Sequence, residues 1–211
     1  MALYLISIIG GDALIILFNL LFSRNYFPEL SVRYIVIASI LAAILVIAID
    51  GVLATFIRRC LPEKWFAYNV KLHNVSQKEC KLYEKLGIKH WKDKVLELGV
   101  FTNFSKKTIA DPHSREYMER FILECNYGAV IHLSNAILGF LLIFCYPLKY
   151  WLLFAFPACI INFVLSMLPY MILRYNVPRL QRARNILEKK EERENARNQT
   201  EENKTQESQS E

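Results

Sequence analysis

The chain contains no Cys-x-x-Cys pair, and its five cysteines, Cys60, Cys80, Cys125, Cys145 and Cys159, are odd in number. Neither a zinc module nor a disulfide framework is indicated, and reduced thiols on a cytoplasmic or intramembrane scaffold are expected. No Gly-x-Ser-x-Gly elbow occurs, so a serine nucleophile of that type is unsupported. No nucleic-acid motif accompanies the positive charge, and the basic residues of the central loop are mixed with nine acids, which excludes nucleic acid as the natural partner. The first apolar segment lacks a basic leading region and a small-residue cleavage site, and it reads as a retained span rather than a signal peptide.

What the chain has in quantity is apolar sequence, 54% of its 211 residues, beside 22% charged residues that are kept apart from it. Four segments are long enough, or nearly so, to cross roughly 30 Å of hydrocarbon: Ala2 to Phe22, Tyr34 to Ile57, Ala129 to Tyr146 and Trp151 to Leu173. The expected fold is all-α: a polytopic membrane protein with four transmembrane helices and a cytoplasmic helical cap between helices two and three. The spans form two hairpins, 1–57 and 129–173, with the cap at 58–128, a basic juxtamembrane helix at 174–187 and a disordered tail over 188–211.

Positive charge predicts the orientation. Arg58 to Gly128 holds 14 Lys and Arg and the chain after Leu173 holds nine, whereas the two remaining turns hold only Arg24, Arg33 and Lys149. Both termini and the cap are therefore expected in the cytoplasm of a multi-pass cell-membrane protein. The net charge of +6 suits a surface lying against anionic lipid headgroups.

Within the spans, Asp12 follows Gly10 and Gly11 and is either a bundle-interior hydrogen-bonding group or a functional acid. Asp50-Gly51 resembles the opening of the CDP-alcohol phosphotransferase signature. Thr55 stands where that pattern needs arginine, and no further aspartates follow, so no metal site is expected and Asp50 is assigned to a helix end or to Arg58.

In the cap, Trp65, Phe66 and Tyr68 form an aromatic cluster suited to an interface. Ser76 and Glu79 form a capping box for a short helix from Glu79 to Leu86 that Gly87 stops. Lys89, His90, Trp91, Lys92 and Asp93 come next. They offer phosphate contacts, a headgroup-layer tryptophan and a carboxylate to orient His90 or Lys89. The alternative is an amphipathic helix lying on the membrane through Trp91, Val95 and Leu98. Asp111-Pro112 is expected to start the next helix, with His113 in its first turn.

From Glu116 to Asn135 the sequence passes from a charged helix into a span. Arg120, Glu124, Gly128, His132 and Asn135 recur at helical spacing and share one face, which is either a site or ordinary surface charge followed by packing contacts. A second polar row, Asn162, Ser166, Tyr170 and Arg174, lies on span four, where Pro169 frees a carbonyl. If spans three and four are antiparallel neighbours, Asn162 and Ser166 approach Asn135 and His132. Arg174 and Arg179, with Asn176 between them, are placed to grip a phosphate or to enforce the inside-positive bias.

Tyr83-Glu84-Lys85-Leu86 with Ile88, Trp91-Lys92-Asp93, Glu97 and Gly99 resembles the pattern of the glycosyl-4,4'-diaponeurosporenoate acyltransferase family. Its namesake acylates a glycosylated carotenoid in staphyloxanthin biosynthesis. Tyr117 to Glu124 followed by Ile131-His132, and Arg174-Tyr175-Asn176 with Pro178-Arg179-Leu180, agree with it. The chain departs from the family at Leu96, often proline there, and over Cys125 to Ala129, which lacks a second glutamate and a basic pair.

The resemblance implies a membrane O-acyltransferase acting on a sugar hydroxyl of a glycolipid or glycosylated carotenoid. Its donor substrate would be acyl-CoA, with no bound cofactor. His132 is the expected base, and Glu124 or His90 its orienter or substitute. Lys89, Lys92, Arg174 and Arg179 are expected at the carrier phosphates, with Trp91, Asp93, Arg120, Asn135 and Asn176 completing the substrate site. The His-x-x-x-x-Asp block of glycerolipid acyltransferases and a His-x-x-x-Asp block are both absent. A non-enzymatic membrane adaptor or stability factor is the alternative.

Overall fold

Long apolar runs with sparse glycine and proline favour helices that satisfy their own backbone, the condition for crossing a bilayer. A computed structural model describes residues 2–95 and 111–210, and no strand occurs among the described residues. The α-helices among the described residues are α1 (Ala2–Leu21), α2 (Val32–Cys60), α3 (Gln77–Lys85), α4 (Ile88–Trp91), α5 (Arg115–Leu138) and α6 (Phe156–Ser210). Four helical stretches, built on α1, α2, α5 and α6, are long and apolar enough to cross a membrane.

Ser31 caps α2 by accepting the Tyr34 N–H at 3.2 Å, and Arg58 and Arg59 complement the carbonyl end of the helix dipole. At the far end of the bundle from the cap, Ile35, Ala38 and Ala42 pack with Leu142, Tyr146 and Phe154. Two polar bonds pin this end. The Tyr146 hydroxyl donates to the Ala38 carbonyl at 2.5 Å, and buried Asn19 donates to Leu153 O at 2.8 Å across the π turn Trp151–Ala155 that leads into α6. Span three is not α-helical throughout: α5 ends at Leu138 and continues as a 3-10 segment, Gly139–Cys145, before Pro147.

Two expectations about helix ends are corrected. Helix α5 starts at Arg115, where the Ser114 hydroxyl accepts the Tyr117 N–H at 3.1 Å. Asp111 instead closes a local turn by accepting the His113 N–H, so His113 precedes the helix. The Asp111 bond closes an Asx turn ahead of the helix, and Ser114, in extended backbone, is the residue that takes the N-cap position. The segment expected to be disordered from 188 continues α6 to Ser210. Its composition is rich in good helix formers, and it carries i,i+4 pairs such as Lys190–Glu194 and Arg197–Glu201.

The cap rests on α5 and α6. Phe66 stacks on Tyr127 with centroids 3.9 Å apart, and its carbonyl accepts from Asn126 Nδ2 at 2.8 Å. Ser76 caps α3 through the Glu79 N–H, and Gly87 ends it at φ 72°, a left-handed conformation that favours glycine. Tyr83 and Ile88 then bury against Ile172 and Tyr175 of α6, with Trp91 and Val95 beside them. Leu96, Glu97, Leu98 and Gly99 lie outside the described residues.

Candidate active site

The two polar rows meet as their spacing predicts. Asn135 Nδ2 donates to Asn162 Oδ1 at 3.1 Å and to Ser166 Oγ at 2.9 Å, and Asn162 Nδ2 returns a bond to the Asn135 carbonyl at 3.1 Å. Gly139 allows the approach, because a side chain there would collide with the Asn162 amide. Asn135 is 1% exposed and its Oδ1 is a buried acceptor with no hydrogen-bond partner, a group that favours a donor from water or substrate. His132 lies three residues toward the cap on the same helix, half-buried.

Glu124 is held differently from expectation. Arg58 grips it with Nη2 at 2.8 Å from Oε2 and stands over the Tyr127 ring at 5.2 Å. The expected Arg58 partner, Asp50, has a buried Oδ1 with no hydrogen-bond partner. Arg58 projects beyond the apolar part of α2 and reaches the charged turn of α5, which lies nearer the cap than Asp50 does.

Arg174 is absorbed by the cap. Its Nε and Nη2 donate to the two oxygens of Glu79, each at 2.8 Å, while Nη1 and Nη2 reach the carbonyls of His73 and Asn74 at 3.1 and 3.3 Å. Tyr83 completes the knot by donating to Glu79 at 2.6 Å. Burial opposes ionisation of Glu79, but the Arg174 and Tyr83 hydrogen bonds outweigh it and hold the carboxyl below its ordinary value. Tyr83 is pushed well above the usual phenol range by burial and by the bond to Glu79.

The Lys89 to Asp93 stretch divides. Lys89 pairs with Glu84 at 2.8 Å, and Asp93 pairs with Lys92 at 3.4 Å rather than orienting His90 or Lys89. On the short helix α4, Lys89 and His90 are both exposed. Trp91 donates to the Leu86 carbonyl at 3.0 Å and packs toward α6. Arg179, exposed, donates to the Tyr175 hydroxyl at 2.9 Å over that ring, and Tyr175 donates to Glu84 at 3.0 Å. Asn176 is half-buried and Arg120 exposed.

A network not evident from local spacing centres on Arg184, which is 7% exposed. It donates to Glu119 at 2.9 Å, to Glu188 at 2.5 Å and to the Tyr68 hydroxyl at 3.1 Å, binding cap, α5 and α6 together. The four-residue step from Arg184 to Glu188 was its only visible signal.

The sequence model described as glycosyl-4,4'-diaponeurosporenoate acyltransferase matches residues 62–186, a unit that spans the cap, α5 and the apolar and basic parts of α6. This chain belongs to that family. It is thereby an acyltransferase by family, within carotenoid biosynthesis. No curated protein and no solved structure matches. The family's segment contains His132, Asn135 and the Arg174 and Arg184 networks, whereas Asp12, Asp50 and Arg58 belong to the hairpin before it. No group of three or more metal-ligating side chains occurs among the described residues.

Proposed function

We propose that this acyltransferase moves a fatty acyl group from acyl-CoA to a sugar hydroxyl of a membrane glycolipid or glycosylated carotenoid, on the cytoplasmic side of a cell membrane. The observation that carries the reading is the clamp of Asn135 on Asn162 and Ser166, which fixes the helix bearing His132 against α6 inside the family's segment. His132 takes the proton of the acceptor hydroxyl. The oxygen attacks the thioester carbonyl carbon, the C–S bond breaks, and the departing thiolate recovers the proton from the imidazolium.

Arg179, Lys89 and Lys92 remain the candidates for carrier phosphates, since Arg174 is spent on the cap. Lipid extracts of cells with and without the protein test the reading. A glycolipid or glycosylated carotenoid heavier by one acyl group is expected only with the protein, and identical extracts contradict the proposal.

A further inference from the structure

Helix α3 engages both of its acids in pairs and turns its lysines outward. Glu79 is consumed by Arg174, and Glu84 is paired with Lys89 and bonded by Tyr175, so neither neutralises the outer face. On that face Lys78, Lys81 and Lys85 are exposed at helical spacing. Between and beside them stand two leucines that a solvated helix has no reason to leave open, Leu82 at 53% and Leu86 at 54% exposed. The residues expected to lie on the membrane, Trp91 and Val95, are packed on the other side against α6.

We infer that this outward stripe docks on anionic phospholipid headgroups. Tyr83 and Ile88 fasten α3 to Ile172 and Tyr175, where the apolar stretch of α6 gives way to its basic one, so the stripe stands at headgroup depth. Three uncompensated ammonium groups complement an anionic surface, and the two leucines enter the acyl boundary beneath it. An acidic carrier protein would match the charge but leave the leucines without an apolar bed. The inference does not depend on the acyl-transfer reading.

Amine-reactive footprinting of the full chain tests it, in nanodiscs of phosphatidylcholine alone and of phosphatidylcholine with phosphatidylglycerol. Lys78, Lys81 and Lys85 should react roughly five-fold more slowly with the anionic lipid, and about 1 M salt should erase the difference. Lys189, exposed farther along α6, serves as reference. Leu82→Asn with Leu86→Asn should reduce the protection. Equal rates in both nanodiscs overturn the inference. So does protection by an acidic carrier protein in phosphatidylcholine with none from phosphatidylglycerol, and so does full protection in the double-asparagine variant.

Discussion

Arg58 and Glu124, 66 residues apart in sequence, meet through a two-pronged contact of 2.8 and 3.5 Å. This pair ties the N-terminal hairpin, which lies outside the family's matched segment, to the helix that carries His132. The same guanidinium stands over the Tyr127 ring at 5.2 Å, so the contact also involves the aromatic pair that docks the cap.

Arg58→Met should leave the Glu124 side chain, 15% exposed, without its cation. The expected loss is about 1–2 kcal/mol, moderated because Arg58 is itself a third exposed. Adding Glu124→Gln should recover part of it. Thermal unfolding of the solubilised variants measures this, and strictly additive losses contradict the pair.

Cap docking should weaken in acid. Glu79 has a folded pKa below its ordinary value of 4.5, so its contribution is complete above that value and is lost as pH falls through the lowered one. Glu79→Gln should unfold at a lower temperature at neutral pH and show a flatter acid dependence than the parent. An equally steep acid limb in the variant would place the titrating group elsewhere.

Gly139→Ala should destabilise the bundle by about 1–3 kcal/mol, because the new methyl collides with the Asn162 amide. Asn162→Ala in the same chain removes the obstacle. Gly139→Ala should therefore cost less in the Asn162→Ala background than in the parent, and an equal cost in both would show that the collision is not the cause.

Asn135→Ala removes the donor shared by Asn162 and Ser166, leaving two buried polar groups short of a partner. A cost of about 1–3 kcal/mol is expected, with acyl transfer falling more than the yield of inserted protein. Measuring both in the same membranes separates the effects, and a parallel fall would make Asn135 a purely structural residue.

The spans and the Asn135–Asn162 contact were legible because each follows from one-dimensional spacing: apolar length for the helices, steps of three and four for their faces. The α3 cap was legible too, since Ser76 and Gly87 act locally. At Arg174 a basic residue at a span end looks alike as a phosphate ligand and as an inside-positive charge, and its contact with Glu79, 95 residues away, has no local signal. Arg58 likewise had a near candidate in Asp50 and a distant one in Glu124, and helix length along the bundle axis favoured the distant one. For α5, Asp111 has the residue type of a cap, but the backbone uses it for a turn and Ser114 caps the helix.

His132 carries the central claim, and acyl transfer in membranes bearing His132→Ala and His132→Gln tests it most directly. Both variants should insert as the parent does and yield no acylated product in the lipid extract. Product formed at the parental rate by both would contradict His132 as the base.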